Sequence, residues 1–257
     1  MKKHIIILLA IIFTGNCLLA QNSHFTTNGT IEYEKTVNMY ALFKKRINKD
    51  NESYMQPYFD NFKKNNPQFK KLKSTLTFSK DKALFKPTAE EVTRDNFWGN
   101  DATIDQINTI ATDLATGTSV VQKKIFEELF LVKDSLRKIN WKLTDEKREI
   151  AGYSCRRANA LIMDSVYVVA FYAEEIPVTA GPESFTGLPG MILGVALPHE
   201  NVTWFATKVT DVVVEPKAVA APVKGKTVNN KQLKETLDPV MKDWGASAQL
   251  MLKAFLL

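Results

Sequence analysis

Residues 153–173 read YSCRRANALI-MDS-VYVVAFYA, which is two strand-like runs joined by the short turn 163–165. The second run is apolar on both faces, and such runs are typical of strands that protein covers on both sides. The polar turn between the runs favours a hairpin. This stretch therefore predicts antiparallel strands, one of which is central and covered.

Strand-like runs continue on both sides of this hairpin, separated by turn signals such as Gly117 and Asp134-Ser135. They are residues 29–37, 72–78, 83–86, 107–114, 119–126, 129–132, 139–144, 191–197 and 202–214. Few helical segments lie between them, which argues against alternating strands and helices. The sequence predicts an α+β fold that is mainly antiparallel β, with a meandering sheet curved like a half-barrel.

Two regions of the chain have helical spacing. Residues 51–65 place aromatic side chains at that spacing and predict a short helix near the N-terminus. In the tail, large apolar side chains recur every three or four residues and predict an amphipathic helix. They are Leu233, Leu237, Met241, Trp244, Ala248, Met251 and Phe255. Asp238 as N-cap and Pro239 at the first helical position are expected to start a second helical piece.

Composition divides the chain into four parts. Residues 1–20 have a charged start, a short apolar run and a small residue before Gln21, which is typical of a secretory signal peptide. A lipidated Cys17 is the alternative, but Asn16 stands where lipidation expects a small residue. Residues 21–214 are predicted to form one β-rich domain, 215–230 a linker and 231–257 the helical tail.

Charge and hydropathy exclude several classes of partner. The N-terminal apolar run is shorter than the ~20 residues of a spanning helix, so the mature chain is expected to have no transmembrane span. The net charge is +6, yet the basic clusters lack interleaved aromatic residues, and no nucleic-acid partner is predicted. His199 is the one well-placed imidazole, so neither a metal nor a cofactor is predicted.

A signature follows the central hairpin, since residues 181–193 read GPESFTGLPGMIL. This stretch resembles the GLPGLI family of exported bacterial proteins, with Met191 in place of the second Leu of the signature. The resemblance extends to residues 29–33, 141–142, 150–158 and 171–177. The activity of that family is not established, so the resemblance implies an envelope protein and transfers no catalytic residue. With the signal peptide, it places the mature chain in the periplasm or periplasm-facing envelope of a Gram-negative bacterium.

The signature also has a direct physical interpretation as a turn. Leu188-Pro189-Gly190-Met191 has Pro and Gly at the two central positions of a type II turn. Gly187 is expected to permit a close approach of the backbone before that turn. A structural role for residues 187–191 is favoured over the alternative, in which their backbone amides bind a ligand.

Two residues are candidate reactive groups, Cys155 and His199. Arg156 and Arg157 would lower the pKa of the Cys155 thiol if they approached it, but Arg156 points away on an alternating strand. After signal-peptide removal Cys155 has no cysteine partner, so a buried, unreactive thiol is favoured.

The sequence thus favours a noncatalytic binding or scaffold protein for a lipid, a peptide or an envelope protein partner. The alternative is an envelope hydrolase or thiol-dependent enzyme that uses Cys155, His199 or a pair of carboxylates. No oligomeric state is predicted.

Overall fold

The computed structural model describes residues 25–88, 104–105 and 108–257, and in these ranges the chain builds one 12-stranded sheet. The predicted signal peptide, residues 1–20, lies outside the described residues. The strands are β1 (Gly29–Asn38), β2 (Phe69–Phe78), β3 (Lys82–Pro87), β4 (Asn108–Asp113), β5 (Thr118–Ile125), β6 (Glu128–Ser135), β7 (Lys142–Ile150), β8 (Tyr153–Ile162), β9 (Val166–Ala173), β10 (Met191–Leu197), β11 (Val202–Asp211) and β12 (Lys226–Val228).

The sheet is open and almost entirely antiparallel. Its strand order is β12-β6-β5-β4-β3-β2-β1-β11-β10-β9-β8-β7. β1 therefore lies between two meanders, one formed by β2 to β6 and the other by β7 to β11. Only β12 and β6 pair in parallel among the described strands. β7 nevertheless contacts β11, although three strands separate them in the sheet order, so this end of the sheet curves strongly. The predicted antiparallel meander is confirmed.

Strand β9 has the character that its sequence predicts. Seven of its eight residues are buried, and it pairs with β8 on one side and β10 on the other. β8 and β9 also begin and end where the hairpin pattern places them. The apolar run of β9 and the polar turn that precedes it were therefore sufficient to locate this hairpin.

Four helices accompany the sheet in the described part of the chain: α1 (Met39–Lys45), α2 (Glu52–Asn65), α3 (Asn230–Met241) and α4 (Gly245–Leu256). α2 follows the prediction for residues 51–65 and packs Phe59 and Phe62 against Phe43 of α1. α1 was not predicted. It begins directly after β1, where the Asn38 side chain accepts a hydrogen bond from the Ala41 amide.

The tail has two helical pieces, as predicted, but the break lies elsewhere. Pro239 does not start a helix and instead sits near the end of α3, and residues Lys242–Trp244 form a 3-10 turn before α4. α3 begins earlier because Asn229 and Gln232 form a capping box. Pro239 has no amide hydrogen to donate to the Glu235 oxygen, and α3 ends two residues after it.

The segment predicted as a linker, residues 215–230, is partly structured. It contains a 3-10 turn, Pro216–Val219, and the edge strand β12. Three further boundaries differ from the prediction. Asp134 and Ser135 belong to β6 rather than to a break, β7 spans Lys142–Ile150 rather than 139–144, and β11 ends at Asp211.

The buried side chains form two apolar clusters. The larger lies on the inner face of the sheet, beneath the loop 174–190 and helices α1 and α2. The smaller is built by β5, β6, β12 and both tail helices. In the described part of the chain, none of the helices combines the length and apolarity that crossing a membrane requires.

Candidate functional site

Glu183 and three buried polar side chains that interact with it form what we call the inner polar cluster. They are Lys35 of β1, Asn108 of β4, Lys123 of β5 and Glu183 of the loop between β9 and β10, which are 3%, 6%, 5% and 7% exposed. Lys35 shares its face with Tyr33 and Val37, so strand alternation turns it inward. Buried charges of this kind are rare unless they are paired.

The members of the inner polar cluster are held by short hydrogen bonds. Asn108 Nδ2 donates to Glu183 Oε2 at 2.8 Å. Lys35 Nζ donates to the main-chain oxygen of Asp105 at 3.0 Å and lies 5.2 Å from the centre of the Trp204 ring. Asn108 Oδ1 and Trp204 Nε1 are buried without a hydrogen-bond partner among the described residues. The centre of the fold therefore holds polar groups that its own contacts leave incompletely satisfied.

The electrostatics of the cluster follow from burial. Burial raises the pKa of Glu183, and the neighbouring Lys35, Asn108 and Lys123 oppose that rise. Burial also lowers the pKa of Lys123 to about 8, with Glu183 opposing the shift and Arg137 adding to it. The lysine and glutamate charges thus compensate one another in a region that water does not solvate.

Three side chains converge on the end of α4, and we call them the tail-binding site. Lys123 Nζ donates to the main-chain oxygen of Phe255 at 2.6 Å, and Ser184 Oγ donates to that of Leu257 at 2.5 Å. Arg137 donates through Nη2 to the main-chain oxygen of Leu256. Cationic donors suit this end of a helix, where carbonyl oxygens lack intrahelical partners and the dipole is negative.

Beside the tail-binding site, an apolar surface packs against α4, and we call this surface the trough. Its walls come from strands β5, β6 and β12 and from helix α3, while α4 lies in it and inserts Phe255, which is 3% exposed. The rings of Trp244 and Phe255 each meet the Phe126 ring edge-on at 5.6 Å. The wall residues are Ile125, Phe130, Val132, Val228, Leu233, Leu237 and Met241. The site thus combines an apolar trough with a cationic end.

The signature segment lies at this site, although its turn differs from the prediction. The Gly190 amide donates to the Leu188 oxygen at 2.8 Å, while the Met191 amide donates to Ile176. This pattern is a three-residue γ-turn centred on Pro189, not a type II turn. Pro189 suits its centre because the proline ring fixes φ close to the value that the turn needs.

The two glycines of the turn have roles opposite to those expected. A Cβ on Gly190 would lie 2.3 Å from the carbonyl oxygen of Ala173, so Gly190 is the position of close backbone approach. Gly187 adopts φ +91°, and its surroundings would admit a Cβ at ordinary distances. Trp141 Nε1 donates to the neighbouring Thr186 oxygen at 2.9 Å and fixes this turn to the start of β7.

The chemically important residues of the signature segment precede the turn. Glu183 has φ +50°, which is uncommon for a side-chain-bearing residue, and it reaches Asn108. Ser184 reaches the tail, and Phe185 packs against Trp204 with ring centres 6.3 Å apart. Sequence reasoning singled out residues 187–191 and missed these three. Lys35 falls at an inward position in the alternation of β1, and a buried lysine normally needs an acidic partner. This was the signal in the sequence that could have indicated a buried acid such as Glu183.

Cys155 and His199 do not meet. Cys155 is fully buried, and burial raises the pKa of its thiol to about 12, with the charge of Glu175 adding to the rise. Cys155 is next to Arg156, which pairs with Tyr172 near the end of β9. His199 is exposed and lies beside Tyr167, near the start of β9. Five to six residues of strand, roughly 17–20 Å, separate these ends.

The adjacent carboxylates Asp145 and Glu146 of β7 are engaged in surface ion pairs. Asp145 pairs with Arg156 at 3.3 Å and Glu146 with Arg157 at 2.5 Å. Within the described ranges, no group of three or more His, Cys, Asp or Glu side chains is placed to hold a metal ion.

Comparisons with known proteins cover the signature but not the whole chain. A family model described as "Protein of unknown function (Porph_ging)" matches residues 161–194, which comprise the end of β8, β9 and the signature segment. The match does not carry the GLPGLI name, so that resemblance remains a prediction. No curated protein matches the chain.

Among solved structures, PNGF-II in space groups P21 and C2 is similar, in each case with 14% sequence identity and a TM-score of 0.49. Each match covers 81% of this chain and 32% of PNGF-II, so the chain spans about a third of the length of those structures.

Proposed function

We propose that this protein is an exported, noncatalytic binding protein whose sheet acts as a half-barrel and holds an apolar chain in the trough that α4 occupies. The observation that carries the proposal is the way α4 is attached. Its end is bound through main-chain oxygens to Lys123, Arg137 and Ser184, so these three hydrogen bonds do not depend on the side chains of α4. A ligand with similar shape and oxygen atoms would meet the same groups.

The packing of α4 supports the proposal that a ligand can take its place in the trough. Among the α4 side chains that the structure describes, Phe255 is the buried anchor, whereas Ala248, Met251, Leu252, Ala254 and Leu256 are only partly buried. A trough with apolar walls and a few converging polar groups is the usual composition of a small-molecule site. Local opening of an element with few fully buried contacts costs less free energy than global unfolding.

The environment of the candidate catalytic residues favours binding over chemistry. A thiol with a pKa of about 12 is not a nucleophile at neutral pH. Glu183 is bonded to Asn108 inside the sheet, and His199 lies near the opposite end of β9 from Cys155. The export signal at residues 1–20 and the GLPGLI-like segment at 181–193 support a periplasmic or envelope location.

Native mass spectrometry of the protein purified from its own envelope tests the proposal. We expect a population heavier than the polypeptide by the mass of one bound amphiphile, which organic solvent removes. A tightly retained second protein in place of a small molecule would favour the scaffold function instead. Recovery of only the bare polypeptide, together with failure to take up dodecanol added in vitro, would contradict the proposal.

A further inference from the structure

Resting on the proposed function, we propose that the ligand is a single-chain amphiphile with a carboxylate head, and that Lys123, Arg137 and Ser184 bind this carboxylate once α4 leaves the trough. The three donors come from β5, from the segment after β6 and from the signature segment. They meet on the main-chain oxygens of three successive residues, Phe255, Leu256 and Leu257. Distant parts of the fold therefore build one oxygen-binding site.

The charges of this site favour an anion. Two of its three donors are cations, and charge-assisted hydrogen bonds to a carboxylate are about twice as strong as neutral ones. Lys123 is 5% exposed, so an anion beside it is poorly screened by water. The nearby acid, Glu183, offsets part of the Lys123 charge while it is bonded to Asn108 at 2.8 Å, so Arg137 leaves the site with a net positive charge.

The trough fits the remainder of such a ligand. α4 has 12 residues and is therefore ~18 Å long, which is comparable to an extended fatty acyl chain. Ile125 lies two residues from Lys123 on the same face of β5, so the apolar wall begins directly beside the cationic end. Phe130 and Met241 continue that wall on β6 and α3.

A pair of ligands with the same chain separates head recognition from chain binding. Calorimetric titration of the full-length mature protein with dodecanoate and with dodecanol measures both. We expect dodecanoate to bind at least about tenfold more tightly than dodecanol. Arg137→Gln and Lys123→Met should each bring the two affinities close together, because their ratio reports head recognition, whereas any loosening of α4 affects both ligands alike.

A matched control removes an equivalent charge away from the trough. The Arg148 guanidinium lies on β7, 4.8 Å from the centre of the Phe205 ring, and none of the contacts that the structure describes for it involves α4 or its donors. Arg148→Gln should keep the preference for dodecanoate. A thermal melt shows whether Lys123→Met folds, and Arg137→Gln, whose side chain is only partly buried, tests the same site if it does not.

The outcomes distinguish the two proposals. Equal affinities for dodecanoate and dodecanol in the unmodified protein, or a preference that both substitutions leave intact, would overturn the carboxylate site while the binding function stands. Binding of neither ligand would overturn the proposed function itself.

Hydrogen exchange then locates the ligand. Saturating dodecanoate should raise the exchange of amides in residues 245–256 relative to those of β9. Unchanged exchange in α4 with the ligand bound would show that the ligand lies elsewhere, and would overturn the assignment of the trough.

Discussion

The Tyr33 hydroxyl of β1 donates to the main-chain oxygen of Ile192 in β10 at 2.6 Å, although β11 lies between these two strands in the sheet. A register shift between Ile192 and Gly194 interrupts the pairing of β10 with β9 at this point. The Tyr33 side chain therefore satisfies a buried oxygen at an irregular position and ties the two meanders together across the inside of the sheet.

Tyr33→Phe should destabilise the fold by about 1–3 kcal/mol because it leaves the Ile192 oxygen buried without its donor. Urea unfolding followed by circular dichroism measures the difference. Tyr54→Phe is the control, since Tyr54 is 57% exposed and its change should stay within about 0.5 kcal/mol. Equal effects of the two substitutions would show that the Tyr33 bond contributes nothing.

Gly190→Ala should be strongly destabilising, by about 3 kcal/mol or more, because the added Cβ would lie 2.3 Å from the Ala173 oxygen and the backbone must move. Gly152→Ala is the matched control. Gly152 has φ +84° but nothing within 4 Å of a Cβ, so only the backbone conformation is penalised, by about 1 kcal/mol. Thermal melts that rank the two variants in the reverse order would contradict the close approach.

Stability at alkaline pH should report the burial of Lys123, whose pKa is lowered from 10.5 to about 8. Between pH 8 and 10 the unfolded chain still holds the proton that the folded protein releases, so folding becomes more favourable as pH rises. Relative to Lys123→Met, the unmodified protein should gain about 2 kcal/mol across this range. Urea unfolding of both proteins at pH 8, 9 and 10 measures this gain. If the unfolding free energies of the two proteins differ by the same amount at each pH, Lys123 is solvated.

Cys155 should resist iodoacetamide in the folded protein at neutral pH, because it is buried and its pKa is about 12. Labelling should become complete in urea. Cys155→Ala should lower the unfolding free energy by about 1 kcal/mol through lost packing and leave ligand binding unchanged. Rapid labelling of the native protein with loss of function would instead favour the thiol-dependent enzyme.

Deleting residues 245–257 should lower the melting temperature and create a site for a hydrophobic dye, because the trough loses the cover that Phe255 and its neighbours provide. Phe255→Ala should produce part of both effects. Val213→Ala, at a side chain that is 87% exposed, should produce neither. A truncated chain with an unchanged melt and no dye binding would show that α4 does not complete the domain.

The sequence predicted the parts of the fold that local patterns determine. β8, β9 and β10 have continuous apolar or alternating runs with turn residues at their ends, and their bounds were found correctly. α1 was missed because it follows β1 without a turn, and Asn38 alone marks its start. β12 was missed because a three-residue strand acquires its structure from its partner β6, which is distant in the chain.

The candidate site was harder to predict because it depends on which distant residues meet. Alternation in β1 and β5 places Lys35 and Lys123 inward, and that much is visible in the sequence. Nothing local indicates that Glu183 comes to meet them from a loop, or that Arg137 and Ser184 reach the tail. The signature drew attention to its turn because Pro and Gly have clear conformational preferences, whereas the role of Glu183 requires the folded chain.

The short strand β12 and the charged strand β7 occupy the two ends of the open sheet. Six of the nine residues of β7 are charged, and β12 offers only three residues with which another chain could pair. An open sheet exposes unpaired amides at both ends, and these normally invite further strands to add. The charges of β7 and the short length of β12 oppose the addition of further strands. This protein can therefore keep its sheet open without polymerising through its edge strands.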